Sequence, residues 1–156
     1  KVLVVKEKYP DRSFNDWKIP TGYVNQSEDL WSGVVREVKE ETGIDTQFLK
    51  IVALRHVHMV AFQKSDLMFV CMLKPTSFDI IIDEEEIRAA QWMDLGELMT
   101  QPFYRDDPMA KHVIDSCISA TVGFTPRHLL SKSDGGKLSC FYHLDDYSTI
   151  SSNRHF

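Results

Sequence analysis

The sequence is poor in the features that mark secreted, membrane-spanning and nucleic-acid-binding proteins. Its cysteines, Cys71, Cys117 and Cys140, are an odd number at wide, unpatterned spacing. That argues against a disulfide framework or a zinc site, and fits reduced thiols in the cytoplasm. No apolar run approaches the roughly 20 residues of a membrane-spanning helix, so no membrane partner is expected. Positive charge is also short: 18 Lys and Arg face 23 Asp and Glu, a net charge of −5. Nonspecific nucleic-acid binding needs a basic surface and is not expected. The chain has no internal repeat. It begins at Lys1 without a methionine, already inside a strand-like run. It therefore reads as a fragment with a truncated N-terminal strand, any targeting signal or extra domain lying upstream.

What is present suits one folded domain: 156 residues, 43% of them hydrophobic and 26% charged, enough to bury a sizeable core. Val2–Val5 is a β-branched run that predicts a strand. Tyr9–Asn15 reads as a loop, and Trp17-Lys18-Ile19 as a short strand stopped by Pro20. Asp29–Thr42 predicts a helix whose apolar stripe is Leu30, Val34, Val35 and Val38. Phe48–Phe62 and Leu67–Leu73 predict a hairpin turning near Lys64-Ser65-Asp66. A short strand is expected at Phe78–Ile82 and another at Ala89–Met93. Asp94 caps a short helix reaching Met99, and Met109–Thr121 is an amphipathic helix. Past Gly123 the periodicity fades, so the division is a domain over residues 1–122 and an irregular C-terminal tail over 123–156. The mixture predicts an α/β sandwich, a mixed sheet with helices on both faces.

The stretch from Gly22 to Ile44 carries the chemistry. Glu37, Glu40 and Glu41 stand at i, i+3 and i+4, which on a helix gathers their carboxylates on one face, with Cβ atoms about 5–6 Å apart. A solvated acidic face is the plain reading of such a triplet; the alternative is a site for a hard divalent cation, which takes oxygen ligands. Gly22 supplies a turn in which backbone can approach a ligand. Ser27 is the expected N-cap, Glu28 and Asp29 suit the positive end of the helix dipole, and Gly43 suits a left-handed stop. Outside this stretch, Arg55 and the pair His56 and His58 fall on opposite faces of a strand. They could reach a diphosphate or an adenine, or be ordinary sheet-surface polar groups. Trp17 and Phe14 could stack on a base or belong to the core, and Lys18 could meet a phosphate or water.

The spacing Gly22, five residues, Glu28, seven residues, Arg36-Glu37, Val38, one residue, Glu40-Glu41, one residue, Gly43-Ile44 resembles the Nudix box at every defining position. With the order of strands around it and the Trp92–Leu98 segment, the likeness to a Nudix domain covers Lys1 to Leu98. The resemblance implies an α/β/α sandwich that hydrolyses a nucleoside diphosphate linked to another moiety, using Mg²⁺ or Mn²⁺. Carried over by position, Glu37, Glu40, Glu41 and the backbone at Gly22 would hold the metal, with Glu28 and Arg36 supporting them. The general base would be Glu37 or a carboxylate of the Glu84-Glu85-Glu86 loop. Glu86 is favoured, because Glu-Ile ahead of an Ala-x-Trp strand recurs in the family.

Lys18–Asp29 and Glu85–Met93 resemble plant Nudix hydrolases acting on ADP-ribose and NADH, a branch shared with the animal antisense fibroblast growth factor Nudix protein. Signatures of other branches are missing. There is no Ser-Gln-Pro-Trp-Pro-Phe-Pro array, and His58 and Met59 stand where the usual ADP-ribose group has a proline. The substrate implied is ADP-ribose or NADH, contacted by residues among Arg55, His56, Trp17 and Lys18. A low-activity nucleotide-binding regulatory module, or a pyrophosphatase for coenzyme A or dinucleoside polyphosphates, are the alternatives. Related enzymes often pair, so a homodimer is expected.

Overall fold

A computed structural model describes residues 1–8, 16–58, 65–131, 135 and 137–144. The expected loop at Tyr9–Asn15, Phe14 within it, and the hairpin turn at Lys64 lie outside the described residues. The chain forms two compact units, Lys1–Phe48 with Leu73–Ser116, and Leu49–Met72 with Cys117–Phe156.

The first unit is built on a two-stranded antiparallel ribbon, β1 (Val2–Glu7) and β4 (Ile87–Met93). Pairing runs from Val2↔Met93 to Lys6↔Ala89, then shifts so that Glu7 faces Ile87. Successive β1 side chains point to opposite faces, and the core follows that alternation. Val4 packs with Met93, Leu98, Tyr104, Ala110 and Ile114. Leu3 packs with Val38, Ile44 and the partly buried Trp92. The first cluster is supplied by α2 (Leu95–Thr100), α3 (Pro102–Asp106) and α4 (Pro108–Ser119), the second by α1 (Leu30–Thr42) and the residues that follow it. Helices therefore cover both faces of the ribbon, as an α/β/α layering requires.

Helix α1 ends where the sequence says it should. Gly43 takes φ +71°, and its N–H donates to the Lys39 carbonyl at 2.9 Å. A Cβ there would meet the Ile81 backbone within 3.2 Å, so glycine is required twice over. The start differs from expectation. Asp29, not Ser27, occupies the N-cap, while Ser27 adopts φ +66° in the preceding turn. The expected stripe is also shifted: Val38, Glu41 and Thr42 are buried, so one carboxylate of the triplet turns inward.

Two expected strands are replaced by other uses of their backbone donors. The Ile81 N–H bonds to the Thr42 carbonyl at 2.9 Å and that of Asp83 to the Glu41 carbonyl at 3.2 Å. Residues 78–82 therefore close the end of α1 instead of joining a sheet. Of Trp17–Ile19, only Lys18 bridges β1, opposite Val5; the Ile19 N–H donates to the buried Tyr104 hydroxyl at 3.0 Å. Replacing Tyr104 by Phe leaves that donor without its acceptor, a cost of about 1–3 kcal/mol. Chemical denaturation should register it as a lower midpoint at unchanged slope.

The second unit holds a sheet of order β3-β2-β5-β6. Strand β2 (Thr46–Val57) enters the unit at Leu49, β3 (Asp66–Pro75) leaves it at Met72, and β5 (Phe124–Ser131) and β6 (Lys137–Leu144) complete it. The expected irregular tail is thus corrected in part: β5 and β6 form an antiparallel hairpin, in register from Phe124↔Leu144 to Ser131↔Lys137. Neither strand alternates polar and apolar residues cleanly, which is why periodicity missed them. Residues 145–156 of the expected tail lie outside the described residues. At the entry to β5, a Cβ on Gly123 would stand 2.7 Å from the Ile51 carbonyl oxygen; only glycine allows that approach. The boundary expected at residue 122 does not coincide with the units, which interleave along the chain. No helix of the described residues is long and apolar enough to cross a membrane.

Candidate active site

In the first unit Arg36 joins the turn before α1 to the outer face of α1, and the turn before β4 meets the end of α1 at the Glu41 carbonyl. Its Nε and Nη2 donate to the two oxygens of Glu28 at 2.8 and 2.9 Å, a bidentate fork that fixes both groups. Nη1 donates to Glu37 at 2.9 Å and to Glu40 at 2.7 Å, and Nη2 also donates to the Tyr23 carbonyl at 2.9 Å. Hydrogen bonds from Arg36, then from the Asn25 N–H, pull the Glu28 carboxyl down to about 2. The same three carboxylates push the Arg36 guanidinium well above its ordinary range, Glu28 first.

Glu37 is held from two sides, its Oε1 accepting from Arg36 and from the Tyr23 N–H at 3.2 Å. Gly22 lies directly against it: a Cβ there would come within 2.4 Å of three Glu37 side-chain atoms. Gly22→Ala must therefore displace the Glu37 carboxylate. Activity is expected to fall about 10–100-fold, as when a partner that orients a ligand is lost, while the melting temperature moves little. Steady-state kinetics beside thermal denaturation separates the two effects.

Glu41 is the exceptional member. It is 8% exposed, and its Oε2 has no hydrogen-bond partner among the described residues. Burial, then the charges of Glu37, Glu7 and Glu86, push its carboxyl up to about 8, while Lys18 pulls the other way. An unpartnered buried carboxylate beside three further acidic groups is costly. A hard divalent cation fits that donor set, because it satisfies the oxygens and the charge together.

Backbone bonds bring Glu86 to this cluster. Asp83 is tied to the Glu41 carbonyl, and the Lys8 N–H donates to the Glu86 carbonyl at 2.8 Å. Lys18 pairs with Glu7. Glu7 was not anticipated; a lone glutamate ending a strand carries no signal until β1 is placed beside α1. Trp17 packs against the Val4 cluster with the Lys6 ammonium 5.0 Å above its ring. Arg55 and His56 sit exposed on β2 in the second unit, with the His56 and His58 rings 4.1 Å apart, so those histidines share a face.

An α/β/α unit with an arginine-bridged set of glutamates on one helix and a buried carboxylate beside it defines a candidate site for a hard divalent cation. The chain belongs to the NUDIX domain family, whose match covers residues 1–116. It is 50% identical over 159 residues to Nudix hydrolase 8 of Arabidopsis thaliana, covering 97% of this chain and 43% of that protein. It is 47% identical over 142 residues to Nudix hydrolase 2 of the same plant, covering 88% of this chain and 51% of the relative. The chain thus spans about half the length of these relatives. A NUDIX hydrolase from Nitrosomonas europaea superposes with a TM-score of 0.61 at 23% identity, over 75% of this chain and 79% of that one, a likeness of fold. Nudix hydrolases generally use divalent metal ions and act on nucleotide substrates.

Proposed function

We propose that this chain hydrolyses the pyrophosphate bond of a nucleoside diphosphate linked to another moiety, with ADP-ribose or NADH as substrate and Mg²⁺ or Mn²⁺ as cofactor. The observation that carries the reading is the buried, unpartnered Glu41 Oε2 among Glu37, Glu7 and Glu86. Glu37, Glu40 and Glu41 would hold the cation, with the Gly22 backbone against Glu37. When bound, the cation supplies charge neutralisation of the diphosphate and acidification of a water.

The chain's own residues supply the rest. Arg36 holds Glu28, Glu37 and Glu40 in one arrangement, so little reorganisation is needed as charge develops. Glu86 is exposed and accepts the proton of the attacking water. It suits that role better than Glu37, whose Oε1 is already engaged by two donors. Lys18 adds positive charge beside Glu7 and Glu41, where a substrate phosphate is attracted. Within this unit, Trp17 is the candidate for contact to the rest of the substrate.

The test is cleavage of the pyrophosphate bond with Mg²⁺, read from the separated nucleotide products, for ADP-ribose, NADH, coenzyme A and a dinucleoside polyphosphate. ADP-ribose or NADH should give the highest kcat/KM. Preference for coenzyme A or the dinucleoside polyphosphate would overturn the substrate assignment. Tight binding of one nucleotide without turnover of any would mean a regulatory module instead.

A further inference from the structure

Asp83-Glu84-Glu85-Glu86 is a run of carboxylates, and like charges so close together repel, which favours an open, solvated loop. The run is instead folded into a turn between the end of α1 and β4. All of its residues are exposed, so hydrogen bonds rather than burial hold it, and Asp83 makes bonds in both directions. Its N–H donates to the Glu41 carbonyl at 3.2 Å, a last-turn carbonyl for which α1 itself has no donor. Its own carbonyl accepts from the Glu86 N–H at 3.3 Å and from the Ile87 N–H at 2.8 Å. Its Oδ1 accepts from the Glu85 N–H at 2.8 Å, the Asx turn that aspartate and asparagine side chains form. Lys8, just past β1, closes the other side. Its N–H donates to the Glu86 carbonyl at 2.8 Å and its Nζ to the Glu84 carbonyl at 2.7 Å. Ile87, the next residue, is buried and paired with Glu7.

The backbone of Glu86 is thus fixed from α1, from β1 and from β4. An Asx turn that did no more than start β4 would not need a tie to α1. Here the tie goes to the carbonyl of Glu41, the residue with the buried, unpartnered carboxylate. We infer that Asp83 is a positioning residue, which anchors the turn to the end of α1 and so holds the Glu86 carboxylate in place relative to Glu41. This role rests on the proposed proton acceptance by Glu86. It matters because a displacement of about 1 Å in a reacting group can cost a hundredfold in rate. Asp83 serves as a hydrogen-bond acceptor rather than as a charge, since its Oδ1 meets a neutral backbone N–H. An amide oxygen at the same position can do the same work.

Steady-state kinetics of the full 156-residue chain with Mg²⁺ tests this, on whichever of ADP-ribose and NADH is turned over faster. Asp83→Ala removes Oδ1 and keeps every main-chain bond, so the circular dichroism spectrum and Tm should stay near the parent's. Its kcat should fall about tenfold or more at unchanged KM, and Asp83→Asn should recover most of that loss. Glu86→Gln should lower kcat by about a hundredfold or more. Adding Asp83→Ala to it should then cost nothing further, as for residues that act as a unit. Amide hydrogen exchange on the metal-free proteins should be faster at Glu85 and Glu86 in Asp83→Ala than in the parent. A parent-like kcat in Asp83→Ala, with Glu86→Gln slow, overturns the positioning role and leaves the assignment of the base standing. Undiminished turnover in Glu86→Gln overturns the base assignment and the role with it. A loss that Asp83→Asn does not recover would mean that the charge matters and not the hydrogen bond, which also overturns the role. So does a double variant slower than Glu86→Gln by the full Asp83→Ala factor.

Discussion

Glu41→Gln is expected to lower kcat for the pyrophosphate substrate by more than about a hundredfold, beyond the range reached by groups that only orient a ligand. The same substitution should make the metal-free protein more stable at pH 8. The sign follows from linkage. Burial and the neighbouring carboxylates raise Glu41 from 4.5 to about 8 in the folded chain, so the folded state holds its proton more tightly than the unfolded state. Stability from this group is fully present below about pH 4.5 and is lost as pH rises through about 8. At about 1.4 kcal/mol per pH unit the span amounts to several kcal/mol. Glutamine keeps the shape and cannot ionise, so that pH slope should vanish. Added Mg²⁺ should flatten it in the parent protein by favouring the charged form, but not in the variant. Denaturation at pH 5 and pH 8, with chelator and with Mg²⁺, reads all of these arms. A slope that persists in the variant would show that another group is responsible.

Arg36→Lys carries the second large effect. Lysine keeps the charge but is a single compact ammonium, which cannot span both Glu28 oxygens while reaching Glu37, Glu40 and the Tyr23 carbonyl. Turnover should drop about 10–100-fold. Glu28 should also return from about 2 towards its ordinary value of 4.5, because its largest cause is the Arg36 hydrogen bond. A depressed carboxyl contributes stability that is present above the unfolded value and lost as pH falls through the folded one. Between pH 4.5 and 2 the parent should therefore resist acid better than Arg36→Lys, and melting temperatures across that range would show it. Equal acid sensitivity in the two proteins would sink the hub role given to Arg36.

Much of the helix carrying the site was legible because local physics repeats in sequence. Gly43 stops α1 where it must, since only glycine takes the left-handed turn against the Ile81 backbone. Glu28, Arg36, Glu37 and Glu40 sit at spacings that put them within reach on one helix and the turn before it. The Val2–Val5 run and the Asp94 cap also appear where their residue types place them. The errors fall where a backbone donor had a nonlocal choice. Residues 78–82 look like a strand until the end of α1 takes their N–H groups, and Trp17–Ile19 does too until Tyr104 takes one.

By itself, then, the sequence determined the helix that carries the candidate site: its start within two residues, its stop, and the spacing of its charged groups, all set by neighbours along the chain. Only the tertiary structure decided that Glu41 is buried rather than wet, that Glu7 and Glu86 crowd it, and that β5 and β6 pair. Burial, field and strand pairing depend on residues distant in sequence. A carboxylate's solvent and its neighbouring charges are not local properties, and they are what turns a row of glutamates into a site that fits a cation.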